Sequence, residues 1–176
     1  MKLVIDIETQ NSFKDIGGKT NLGALKVSLV GAYLYGEDKF LTFMEDEMEK
    51  LGELIKKAEL VIGYNLKGFD YPVLQSYLKH INFNSIKTLD IMEKAQQYLG
   101  YKIKLDAIAH ASLGLGKIGT GLGAIEYWEQ GKIDELKKYC LKDVEITRDV
   151  YEYGAKNKMV KFKSMWGTYE IPAEWY

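Results

Sequence analysis

The sequence predicts an α/β fold: a central mixed β-sheet with helices on both faces. Three observations carry that expectation. Short apolar runs rich in β-branched residues recur in the first half of the chain. Stretches with apolar residues at helical spacing separate these runs and then dominate the second half. The chain has 176 residues, 47% of them apolar, enough to bury a core of ordinary domain size. Strands and helices in this order suit a sheet layered with helices.

"LVIDIETQ", residues 3–10, reads as a strand of apolar residues interrupted by Asp6 and Glu8. Residues two apart in a strand share a face, so the two carboxylates stand side by side. Residues 11–26, rich in Gly, Asn and Lys, read as a long loop. Residues 27–43 give two strands about the turn Gly36-Glu37-Asp38. Residues 45–58 form an amphipathic helix, with acids early and lysines late as the helix dipole favours. "ELVIGYN", residues 59–65, is a short buried strand. Residues 69–80 read as a helix that tolerates Pro72 in its first turn. A weak strand over 85–92 and a helix over 93–99 follow. From Leu105 the chain reads as helical, with a Gly-rich break at 113–123 and a longer helix from Ile133 to about Tyr153. No linker or repeat divides residues 1–176, so one domain is expected, with its motifs inside 1–153 and a C-terminal extension over 154–176.

A formal net charge of −1 argues against a polybasic nucleic-acid tail, although local patches of either sign remain compatible with it. The single cysteine, Cys140, excludes an internal disulfide and a cysteine-based zinc site. The expectation is a cytoplasmic protein with neither a signal peptide nor a membrane span.

Acids recur where burial makes them costly. Asp70 follows Phe69 where a strand passes into a helix, in "GYNLKGFDYPVL". Tyr139 and Asp143 lie four apart on one face of the last long helix, in "YCLKDVEITRDV". Each feature alone has an ordinary reading: an edge strand, a first-turn acid, a surface pair. Together, a strand end, a strand-to-helix junction and an inward helix face each supply a carboxylate. Mg²⁺ and Mn²⁺ prefer oxygen ligands and suit such a cluster. Two such ions about 4 Å apart, sharing one carboxylate, form a recurrent site for phosphodiester chemistry.

These residues resemble the motifs of the DEDD exonucleases of the ribonuclease H-like fold. Asp6-Ile7-Glu8 matches their Asp-x-Glu motif, and Asn65 to Asp70 matches Asn-x-x-x-Phe-Asp. The third motif has a histidine form and a tyrosine form. Lys138 stands where the histidine would be, and Tyr139 before Asp143 fits the tyrosine form, DEDDy. The stretches are most similar to the proofreading exonuclease domain of family B DNA polymerases and its stand-alone relatives. The resemblance implies a ribonuclease H-like fold and a metal-dependent 3′-to-5′ exonuclease acting on single-stranded DNA or RNA. It implies two divalent cations held by Asp6, Glu8, Asp70 and Asp143, with Asp6 shared between them. Tyr139 would orient the attacking water, and Asn65 and Phe69 would face the terminal nucleotides. A non-catalytic nucleic-acid-binding module is the alternative, as is a structural domain serving a helicase or polymerase. Any partner in replication, repair or RNA processing stays unidentified.

The remaining signals are weaker. "GLGKIG", residues 114–119, fits G-x-G-x-x-G but lies between late helices, outside the context of a dinucleotide site. Lys117 within it is a candidate contact for substrate phosphate. His80 and His110 share no metal-ligand spacing. Asp90 reads as a helix cap, or as support behind the metal ligands. Lysines alternating with Phe162 and Trp166 suit either single-stranded nucleic acid or a solvated edge strand. The last residues, 170–176, either lie against the domain or meet a partner.

Overall fold

The computed structural model describes residues 1–115 and 122–175. Five strands form the main sheet: β1 (Lys2–Thr9), β2 (Val27–Leu34), β3 (Lys39–Met44), β4 (Leu60–Gly63) and β5 (Thr88–Asp90). Their order is β3-β2-β1-β4-β5. β2 runs antiparallel to β1 and β3, whereas β4 runs parallel to β1 and β5, so the sheet is mixed as expected. The helices are α1 (Met48–Lys57), α2 (Tyr71–Leu74), α3 (Ile91–Leu99), α4 (Leu105–Leu113), α5 (Leu122–Glu129) and α6 (Ile133–Asn157). A separate antiparallel hairpin, β6 (Met159–Ser164) and β7 (Gly167–Pro172), follows α6.

Strand alternation on β1 decides what each face does. Leu3, Ile5 and Ile7 enter one core with Leu51 and Ile55 of α1 and Val73 and Leu74 of α2. Val4 points the other way, into a core with Ile108 of α4, Val144 and Val150 of α6, and Val160 and Ile171 of the hairpin. Asp6 and Glu8 continue the face of Val4, so the same alternation that buries the apolar residues aims both carboxylates toward α6. β1 pairs with β4 only over Lys2 to Val4, and beyond that the two strands part. The acids therefore stand in the crevice past the pairing, where parallel α/β sheets commonly bind ligands.

The segment 69–80 departs from the expected helix. A π-type turn spans Leu66–Asp70, α2 covers only Tyr71–Leu74, and tight turns follow. Ser76 N–H bonds to Val73 O, and Tyr77 N–H to Leu74 O, three residues back instead of four. Gln75 Nε2 donates to the carbonyls of Leu78 and Ile81, which gives these carbonyls a partner outside any helix. At the C-terminus, Trp175 lies against α6 where Gly154 leaves room; a Cβ there would come within 2.4 Å of the indole. Residues 170–175 thus lie against the sheet's helical layer.

Gly31 of β2 sits opposite Asp6 in the ladder. A Cβ at this position would stand 2.8 Å from Val144 Cγ2 and 2.9 Å from Cys140 Sγ, both on α6. The missing side chain lets α6 rest directly on the sheet, as a strand glycine often does for a close neighbour. Gly31→Ala is expected to destabilise the fold by about 1–3 kcal/mol, the usual cost of over-packing a filled core. Urea unfolding measures it, and an unchanged midpoint would show that α6 has slack against the sheet.

Candidate metal centre

Asp6 and Glu8 project from the centre of the sheet. A register shift between Glu8 and Thr9 marks a bulge at the end of β1, and bulges re-aim the side chains beside them. Asp70 comes from the π-type turn and Asp143 from α6. All four sequence-predicted carboxylates meet: Asp6 feels the charges of Glu8, Asp70 and Asp143. Asp6 and Glu8 keep some solvent access but are densely surrounded by protein, and Asp70 is only 2% exposed.

Burial pushes every one of these acids toward its neutral form, and repulsion from neighbouring carboxylates adds to it. Asp6 is raised well above the ordinary aspartate value, by burial first and then by its three acidic neighbours. Burial, Asp143 and Asp70 raise Glu8 to about 8. Burial raises Asp70 to about 8, against the pull of backbone N–H groups, including that of Ile7. Burial and then Asp106 raise Asp143 to about 6. Asp70 Oδ1 is buried and has no hydrogen-bond partner among the described residues. An orphaned carboxylate oxygen beside three more carboxylates is a set of hard donors lacking positive charge. That donor set fits a divalent cation of the Mg²⁺ or Mn²⁺ type.

One ligand atom each from Asp6, Glu8 and Cys140 lies within 4.8 Å of the others, close enough to hold an ion. The thiol has a different role from the carboxylates. Burial, and then the charges of Asp6 and Glu8, push its pKa up, so it stays protonated. Its S–H donates to the carbonyl of Asp6 at 3.6 Å. Cys140 thereby fastens α6 to β1 at the position where the acids converge.

Tyr139, one residue before it, is half-buried on the same turn. Its ring meets Tyr127 of α5 edge-on at 6.4 Å. Burial raises its pKa, and so do Asp143, Glu8, Asp6 and Asp106 in that order. The hydroxyl therefore lies within the field of the whole cluster and keeps its proton.

Asp90 fixes the turn that carries Asp70. Its carboxylate accepts from the N–H groups of Asn65 (2.8 Å), Lys67 (3.0 Å) and Glu93 (3.2 Å). It is thus both the N-cap of α3 and the anchor of the 65–70 segment. Asn65 takes the left-handed conformation at φ 69°, which Asn tolerates better than most residues. Gly68 is required beside it, because a Cβ there would come within 2.3 Å of Asn65 Oδ1.

Phe69 packs edge-on against Phe13 at 5.7 Å. Both rings line a cavity of about 390 Å³ that Glu8, Ile7 and Ile125 also border. Lys117, in the Gly-rich break, lies outside the described residues. The sequence reading missed three contributors. Phe13 lay in an unstructured-looking loop and gave no signal. Asp106 looked like an ordinary first-turn acid of α4. Gly31 did leave a signal, as an isolated glycine within a strand.

The fold and this centre define a class: an α/β fold of nuclease type with an acidic cluster, suited to a divalent cation, beside its middle strand. The chain belongs to the RNase H superfamily, whose family model matches residues 3–155. Among solved structures it is similar to the family B DNA polymerase from the hyperthermophilic archaeon Pyrobaculum calidifontis, with a TM-score of 0.66 and 19% identity. That match covers 88% of this chain but only 24% of the polymerase chain. No curated protein matches the sequence. Among the described residues, no helix is long and apolar enough to cross a membrane.

The raised acids make stability depend on pH when no metal is present. Folded Glu8 and Asp70 hold protons up to about pH 8, whereas the unfolded chain releases them near the ordinary values of 4.5 and 3.8. The folded state therefore binds more protons across that window, and stability falls as pH rises through it. In EDTA the melting temperature should be higher at about pH 5 than at about pH 8. Asp6→Asn should flatten the difference and be more stable at the higher pH by about 1 kcal/mol, a typical function-for-stability trade. It should also lose most of the Mn²⁺-induced rise, since binding to the folded state alone stabilises by mass action. A parent that gains stability with pH in EDTA would refute the clustering of charge.

Proposed function

We propose that this chain is a metal-dependent 3′-to-5′ exonuclease. It hydrolyses the terminal phosphodiester bond of single-stranded DNA or RNA and releases nucleoside monophosphates. The observation that carries this reading is the convergence of Asp6, Glu8, Asp70 and Asp143 beside the protonated hydroxyl of Tyr139. Bound Mg²⁺ or Mn²⁺ ions, two in this reading, supply the positive charge that makes water a competent nucleophile and stabilises the leaving oxygen. Asp6, Glu8, Asp70 and Asp143 would hold these ions, Asp70 through the oxygen that lacks a hydrogen-bond partner. Tyr139 donates a hydrogen bond that orients the attacking water; its raised pKa argues for positioning over proton abstraction.

The cavity between Phe13 and Phe69 supports action at a strand end. Its volume of about 390 Å³ suits a nucleotide-sized group, and it adjoins Glu8. Phe69 and Phe13 offer ring faces and edges to a terminal base; Asn65 is assigned a contact with the terminal nucleotides on its motif position, and it does not line this cavity. Lys117 is assigned a phosphate contact on its sequence position alone. In this reading residues 1–176 act as one unit.

A 5′-labelled oligonucleotide should shorten stepwise from its 3′ end with Mg²⁺ or Mn²⁺ and stay intact in EDTA. Immediate release of a labelled mononucleotide would reverse the polarity, and no digestion with either metal would favour a binding module. Tyr139→Phe, which keeps the ring, should lower the rate about 10- to 1000-fold, somewhat less than the usual contribution of a group that itself transfers the proton. Its Mn²⁺-induced melting shift should persist. An undiminished rate would remove Tyr139 from the mechanism.

A further inference from the structure

We propose that α4 and the β6–β7 hairpin form a second, extended binding surface for single-stranded nucleic acid, leading away from the acidic centre. The inference rests on the nuclease reading for its direction, and on its own residues for its chemistry.

Alternation along the hairpin produces the surface. Val160 and its cross-strand partner Ile171 face inward and are buried. One register step further on the same face, Phe162 opposes Tyr169. Their rings stack at 6.3 Å, and Tyr101 meets Phe162 edge-on at 6.5 Å. Tyr169 and Tyr101 are exposed, and at the turn Met165 and Trp166 are 88% and 82% exposed. The row of side chains that begins as core thus ends as a strip of aromatic groups in water.

The strip continues into a shallow depression of about 450 Å³ lined by Ile103, Lys104, Asp106, Ala107, His110 and Phe162. Asp106 belongs both to this depression and to the electrostatic neighbourhood of Asp143 and Tyr139. Asp106 therefore lies between the depression and the acidic centre. The surface is also held in shape. Lys161 N–H donates to Ser112 Oγ of α4 at 2.8 Å, and Ala173 N–H donates to Lys158 O at 2.9 Å.

Charge selects the occupant. Lys104 lines the depression beside Phe162 and Lys102 adjoins Tyr101, while Lys158 precedes β6 and Lys161 and Lys163 project from its other face; none of the five forms a salt bridge among the described residues. Residues 158–169 contain no acid at all. In a chain of net charge −1, these five lysines outnumber the three acids that lie with them, Asp106, Glu170 and Glu174. Rings for bases and ammonium groups for phosphates are the two components of sequence-tolerant single-strand binding. An apolar protein partner would not require the lysines.

The test uses Asp6→Asn in EDTA, so that no strand is cut. Fluorescence anisotropy follows labelled oligothymidylate or oligouridylate of about 4 and about 16 nucleotides, spanning common single-strand site sizes. The longer strand should bind more tightly. Adding Trp166→Ala or Tyr169→Ala should weaken it about tenfold, within the range for one lost stacking contact, and leave the shorter strand's affinity unchanged. Tyr169→Phe should restore it, and unchanged melting temperatures show that the exposed substitutions leave the fold intact. The proposal fails if length gives no advantage or if both alanine variants bind like their parent. It also fails if the variants abolish only concentration-dependent self-association, which would make the strip a protein contact. Length-dependent binding without nuclease activity in the parent would retain this surface and reject the nuclease reading. Stepwise digestion without length dependence would do the reverse.

Discussion

Three carboxylates are held within electrostatic reach of a fourth, that of Asp6, and much of the sheet's surroundings exists to keep them there. Water would relieve the repulsion by letting the groups drift apart, and burial removes that option. The restraint is structural at each corner. Asp6 and Glu8 are rooted in the middle strand of a five-stranded sheet. Asp70 hangs from a turn that the buried carboxylate of Asp90 pins through two backbone N–H groups, those of Asn65 and Lys67. Asp143 rides on a helix of 25 residues that lies against the sheet at Gly31 and bonds to Asp6 through the thiol of Cys140. Such a scaffold preorganises a site whose charge is incomplete until a cation arrives. The stability given up in the metal-free state is the expected companion of that preorganisation.

The central part of this arrangement was legible in the sequence. The period-two pattern of β1 placed Asp6 and Glu8 on one face, and the four-residue spacing on α6 placed Tyr139 above Asp143. Both patterns are local, and tertiary packing preserved them. What escaped was decided by contacts distant in sequence. The expected helix over 69–80 shrank to four residues because Gln75 bonds to the carbonyls of Leu78 and Ile81 and because the turn before it answers to Asp90. Periodicity alone registers neither. Phe13 acquired meaning only through its contact with Phe69, fifty-six positions later in a different element. Asp106 became part of the site only once α4 was seen to bring it near Asp143.

The two faces of the sheet divide the labour. One packs α1 and α2 into a supporting core that also borders the Phe13–Phe69 cavity. The other carries the acids, α6, and the α4–hairpin layer with its exposed rings and lysines. The centre holds four carboxylates, whereas lysines outnumber acids around the hairpin. A polyanionic strand would be attracted to the periphery and repelled by the centre unless cations neutralise it. Metal binding therefore does more than activate water in this account: it makes the centre approachable by substrate.

The central claim is that the acidic cluster shares protons until a cation displaces them, and calorimetry tests it most directly. Mn²⁺ is titrated into the metal-free protein near neutral pH in two buffers of different ionisation enthalpy, which counts the protons released. The account predicts release of about one proton or more per chain, because ligating carboxylates must be deprotonated, and a smaller number for Asp6→Asn. Mn²⁺ binding with no proton release would mean that the carboxylates are already charged and well separated, and would contradict the account.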